Sequence, residues 1–183
     1  MHTDLAELLA AAGIVDVDVD EAVADGHVRS SAYQRVVSVI ASSRSRDRDR
    51  DRDRAIVATI LRDPDEMASK TAVVALVDEI ARKMAGPAEF RRWSAALLPE
   101  TDRLRTAAFR DFIRRRVHDW LIRLSIEDGH LPTPAELARA TAWMQRLLAE
   151  RSTSPEVLAL LAESAHTRKT RNIAKHRAGI RPR

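Results

Sequence analysis

The chain has 183 residues, 45% of them hydrophobic, with five glycines, seven prolines and few aromatic side chains. That length suffices for one compact domain with a buried core, and plentiful alanine and leucine favour helices over sheets. The lack of cysteine excludes disulfides and thiolate chemistry, and the net charge of +4 conceals a segregation along the chain. The first thirty residues hold seven acids against Arg29 alone. From His166 onward there are seven Lys or Arg and no acid, which leaves 24 basic against 27 acidic residues, or −3, for the rest. An acidic head, a mixed middle and a basic tail suit a chain whose end meets phosphates or folds onto its own head.

The segment Met1–Gly13 has no cationic region ahead of its leucines and is too short to cross a bilayer, so a cytoplasmic location without membrane contact is expected. Thr3 or Asp4 can cap a first helix carrying Leu5, Leu8 and Leu9 and ending near Gly13. Val15 to Asp20 alternates valine and aspartate, an extended segment leading into a helix near Asp20. Its spaced aspartates do not make a calcium loop. Counting from Asp16, Glu21 stands where glycine is needed and His27 where glutamate is needed.

A helix from about Ser30 to Ser42 would bury Tyr33, Val36, Val37 and Ile40. The stretch 44–54, in which Arg and Asp alternate from Arg46, has no apolar residue and reads as a solvated linker or projecting helical extension with no buried face. Ala55 to Leu61 resumes the helical pattern. Asp65 to Met84, with Val73, Val77, Ile80 and Met84 on one stripe, should be the most buried helix. Phe90, Trp93, Leu97 and Leu98 mark a short helix. Thr101 to Ile126 should be the longest, with Phe109, Ile113, Val117, Trp120 and Leu124 on one face.

Thr133-Pro134-Ala135-Glu136 is a capping box opening a helix whose inward stripe is Leu137, Ala140, Met144, Leu147 and Leu148. Trp93, Trp120 and Trp143 all fall on apolar stripes and read as core. Ser154 then caps a helix with Pro155 in its first position and Val157, Leu158, Leu160 and Leu161 on its apolar face. The expected architecture is all-α: one helical domain over 1–165, as an irregular bundle or a short α-solenoid, followed by the basic segment 166–183. That segment is either a final short helix ending at Gly179 or a loose tail.

Three stretches resemble the start of the second helix of a HEAT-like repeat, in which an acid precedes an apolar-basic pair and a small residue. They begin at Asp25, Asp65 and Thr101, 40 and 36 residues apart. Residues 153–176 resemble a leucine-rich-variant repeat more closely. Pro155, Glu156, Val157, Leu158, Leu161 and Ala162 match its first helix, and Arg171, Ile173 and Ala174 the basic-apolar-Ala end of its second. The resemblance implies a binding surface for proteins or nucleic acids and no catalytic site. It also implies that Ile173 and Ala174 are buried while Arg168, Lys169, Arg171 and Lys175 face outward.

No phosphate-binding glycine loop, GxSxG or HExxH motif occurs, and the six histidines are scattered. No catalytic residue, metal or cofactor is nominated, and the reading leans away from an enzyme. The candidates are cations, because phosphate binding needs several of them on one surface. One group is Arg168, Lys169, Arg171, Lys175 and Arg177 in the acid-free end, where Arg181 and Arg183 follow. The other is the helical stripe Arg103, Arg110 and Arg114, for which salt bridges to Glu100, Asp111 or Asp119 are the competing reading. Two functions remain: a nucleic-acid-associated binding protein, or an adaptor that binds a protein partner or itself as a homo-oligomer.

Overall fold

The computed structural model describes residues 1–42 and 50–179. Among these residues it contains eleven α-helices and no strand, so the fold is all-α. The chain divides into two compact units, Met1–Arg116 and Val117–Arg183, with the division falling inside one helix.

The first unit opens with α1 (His2–Ala11), α2 (Val19–Ala24) and α3 (Gly26–Ser42). Gly13, at φ 69°, turns the chain out of α1, and the Asp18 carboxylate caps α2 by accepting the Glu21 N–H at 3.1 Å. α4 (Arg50–Ile60), α5 (Glu66–Lys83) and α6 (Pro87–Leu97) follow, then a 3-10 helix over Leu98–Arg103. Asp65 caps α5 by accepting from Met67 and Ala68. α3 lies against α5, and the core between and around them is Tyr33, Val36, Val37 and Ile40 with Val73, Leu76, Val77 and Ile80. Phe90 and Trp93 stack at 5.6 Å beneath α4.

One polar cluster is buried in this apolar setting. Asp63 accepts the Tyr33 hydroxyl at 2.7 Å and pairs with Arg29 Nε at 2.9 Å, while Arg29 Nη1 donates to the Ala22 and Val23 carbonyls. Arg29 thereby satisfies the open end of α2, and its charge is matched by Asp63. Burial and the Asp63 hydrogen bond push the Tyr33 phenol well above its ordinary range.

Two sequence expectations for this unit need correction. The alternating tract lies partly outside the described residues, at 44–49, and Arg50–Arg54 forms the first turns of α4, a helical extension as allowed, yet one with a buried face. Asp53 there is buried and accepts the Trp93 indole N–H at 2.9 Å. Charge periodicity could not reveal a buried face whose partner is a polar indole forty residues away. The long helix also begins later than Thr101. Thr101–Arg103 is in the 3-10 helix, and α7 spans Ala107–Glu127. Glu66 holds that start from across the chain, accepting from Arg105 and Thr106. The third HEAT-like frame therefore does not open a helix.

The second unit contains the end of α7, then α8 (Pro134–Arg139), α9 (Ala142–Arg151), α10 (Pro155–Ser164) and α11 (Arg168–Arg177). Gly129, at φ 95°, ends α7, and the Thr133–Glu136 capping box opens α8. The single helix read from Thr133 through Leu148 is broken at Ala140 and Thr141. Buried Asp119 accepts both the Thr141 N–H at 2.9 Å and its hydroxyl at 2.6 Å, and Thr141 then caps α9. Trp120 is buried as expected, but Trp143 is 39% exposed, its ring meeting the Trp120 edge at 6.2 Å.

Candidate nucleic-acid interface

The two last helices form because their caps are written locally. Ser154 accepts the Val157 N–H, and Pro155 sits where no backbone donor is needed. Thr167 accepts the Thr170 N–H and opens α11. α10 packs on α8 and α9, and α11 on α9 and α10. Leu158, Leu161, Ala162, Ala165, Thr170 and Ala174 are the buried side of this hairpin. Ile173, expected to be buried, is only half-buried, since it lies at the flank of the buried arc rather than its centre.

Gln145 fixes the turn between α10 and α11. Its side chain, 1% exposed, donates to the Leu137 carbonyl at 2.8 Å and accepts the His166 N–H at 2.8 Å. His166 Nε2 lies 3.1 Å from the Ala138 carbonyl. The N-terminal end of α11 is thus pinned to the junction of α8 and α9.

The cations of α11 divide into two kinds. Arg171 bends back to donate to the Ala165 carbonyl at 2.5 Å, and Arg177 to the Ala149 carbonyl at 3.0 Å. These carbonyls lie at or next to the C-terminal ends of α10 and α9, where acceptors otherwise lack partners and the helix dipole favours a cation. Arg168, Lys169 and Lys175 are exposed and make no hydrogen bond or ion pair among the described residues. At about 100° per residue, Arg168, Lys169, Asn172, Lys175 and His176 fall within an arc of about 120°. All five are exposed. Sequence reading missed Asn172 and His176, although their spacing from Arg168 carries the signal. Glu150 stands near Lys169, but it accepts from Arg146 at 2.7 Å, which is the main reason its carboxyl sits below its ordinary range.

The other stripe is engaged inside the first unit. Arg103 pairs with buried Glu100 at 2.8 Å, and Arg54 meets the same carboxylate at 2.6 Å. Hydrogen bonds from Arg103 and then Arg54 hold Glu100 below its ordinary range. Arg110 donates to the Leu104 and Arg105 carbonyls, and Arg114 pairs with Asp102 at 2.8 Å and Asp111 at 3.6 Å. Each arginine of the stripe thus has a partner in its own chain.

Among the described residues no three His, Asp or Glu side chains converge as a metal site requires. A cleft lined by Met1, Asp4, Leu5, Tyr33, Arg62 and Asp63 holds about 10 Å³, room for one water and too little to enclose a substrate. No described helix is long and apolar enough to cross a membrane. Fold and surface together define an all-α protein with a cation-faced terminal helix. The chain matches no protein-family model, no curated protein and no solved structure, so the helical-repeat resemblance of 153–176 gains no support from such comparisons.

Proposed function

We propose that this is a non-enzymatic helical binding protein that contacts nucleic-acid phosphates through the exposed face of α11. The observation that carries the reading is the set of three cations, Arg168, Lys169 and Lys175, on one solvent-facing arc with no hydrogen bond or ion pair among the described residues. They span about 10 Å along the helix at 1.5 Å per residue, a reach that covers neighbouring backbone phosphates. Arg168 and Lys169 also stand in the first turn, where the helix dipole disfavours cations by about 0.3–1 kcal/mol each. A phosphate at that turn would meet both side chains and the free N–H groups of the helix start. Arg171 and Arg177 serve this surface indirectly, by holding the hairpin together. The partners of Arg103, Arg110 and Arg114 weigh against that stripe as a second contact. Contacts of this kind would position the chain on the backbone.

Fluorescence anisotropy with a labelled duplex and a labelled single strand, at low and at near-physiological salt, tests the reading. Binding that weakens steeply as salt rises is expected. No salt-sensitive binding to either strand form at low ionic strength would overturn it. A second reading, self-association, has an observation of its own in the exposed apolar surface of the first unit.

A further inference from the structure

The start of α7 and the start of α5 together carry apolar side chains that are exposed among the described residues. Met67 is 52% exposed and Phe112 is 38% exposed, with Phe109 half-buried one turn before it. Large apolar side chains grouped this way mark interaction surfaces. Cations lie close to these rings. The Lys70 ammonium lies 4.9 Å from the Phe112 ring centre and 5.6 Å from that of Phe109. The Arg116 guanidinium lies 5.6 Å from Phe112. Arg115 is exposed beside them, and Arg105 is 82% exposed at its side chain. The nearby carboxylates are already engaged: Glu66 by Arg105 and Thr106, Asp78 by Arg116, and Asp111 by Arg114. Arg105 and Arg116 are spent in these pairs, which leaves Lys70 and Arg115 as the cations without a carboxylate among the described residues.

Two cations beside the Phe112 ring leave it poorly placed to stack a base, which needs an open face. The surface suits a short apolar side chain flanked by carboxylates. The chain itself carries such a segment. Val15 is 93% exposed, and Asp18, Asp20 and Glu21 beside it are exposed, Asp20 lying 3.1 Å from His2 Nε2, while Asp16 is paired with Arg35 at 2.5 Å. Val15 is too exposed to be seated on any surface of its own chain. We infer that the protein self-associates, with Val15 and its aspartates from one copy docking on the Met67–Phe112–Lys70 surface of a second copy. Each copy carries both halves, so the contact closes into a two-fold dimer or ring if the rotation permits and otherwise extends. This inference does not depend on the phosphate-binding role of α11.

The natural lack of cysteine gives a clean test. Val15→Cys and Met67→Cys chains are mixed under mild oxidation, with Glu163→Cys replacing Met67→Cys as an exposed control. The expected result is a 15–67 disulfide between copies that forms at least about tenfold faster than the 15–163 control. Light scattering on the native chain should show a mass above the monomer. Phe112→Ser should weaken association at least about tenfold, as loss of a central aromatic anchor does. Lys70→Glu should weaken it too, and Asp20→Lys in the same chain should restore it. Circular dichroism on each variant separates misfolding from lost contact. A monomer at all concentrations would overturn the inference. So would association that survives Phe112→Ser but is lost when Arg168, Lys169 and Lys175 become Glu, which would move the acceptor to α11. Loss of oligonucleotide binding in folded Phe112→Ser, with the native chain monomeric, would assign the surface to nucleic acid instead.

Discussion

The Asp53 carboxylate accepts the Trp93 indole N–H at 2.9 Å, with both side chains buried. One aspartate among the otherwise exposed Arg50–Arg54 thus ties the start of α4 to α6. Replacing Asp53 by Ala leaves the indole donor buried without its acceptor, at a cost of about 2–3 kcal/mol. Asn, which keeps an acceptor oxygen, should lose markedly less. Chemical denaturation of the two variants checks this, and equal losses would show that the hydrogen bond is not what matters.

Gln145 is the corresponding link in the second unit. Gln145→Leu strands the His166 N–H and leaves the Leu137 carbonyl with only the Ala140 N–H, so a loss of about 1–3 kcal/mol is expected. Hydrogen exchange should locate the effect, with the amides of α11 exchanging faster and those of α3 unchanged. Uniform acceleration across both helices would contradict the assignment.

Glu66 supplies a pH dependence with a definite sign. Hydrogen bonds from the Thr106 side chain and the Arg105 backbone lower its folded value from 4.5 to about 2. A lowered folded value means the stabilisation is complete above the unfolded value and fades as pH falls toward the folded one. Glu66→Gln should therefore be less stable than the native chain at pH 7, with the gap narrowing below about 4.5 and closing near 2. A gap that stays constant from pH 7 to pH 2 would show that Glu66 does not hold Arg105 and Thr106 as a carboxylate.

The α11 cations should separate by consequence. Arg171→Ala and Arg177→Ala each remove a guanidinium from a helix-end carbonyl and should cost about 1 kcal/mol of stability. Lys175→Gln removes no such bond and should leave the denaturation midpoint unchanged, while Arg168→Gln and Lys169→Gln, which take cations out of the first turn, should leave it unchanged or slightly raised. Midpoints that fall equally in both sets would erase the division.

Local chemistry was legible in the sequence, and contacts across it were not. Thr133-Pro134-Ala135-Glu136 and Ser154-Pro155 opened helices where their cap chemistry placed them, because a cap and its N–H lie three residues apart. The break at Ala140 and Thr141 was invisible because Asp119, twenty-two residues earlier, takes the Thr141 N–H that would have continued the helix. Trp143 sits on an apolar stripe, yet its ring stays partly in solvent against the Trp120 edge. The candidate cations were named, but charge alone could not sort them. Arg171 and Lys175 look alike in sequence, and only the position of the Ala165 carbonyl makes one a structural tie and leaves the other free.

The central claim is that Arg168, Lys169 and Lys175 meet phosphates. Its most direct test is the slope of log binding constant against log salt for a duplex, compared between the native chain and the triple Gln variant. With each neutralised phosphate contributing about −0.9, the variant's slope should be shallower by about 2.7, with its fold intact. An unchanged slope and affinity in a folded triple variant would contradict the claim.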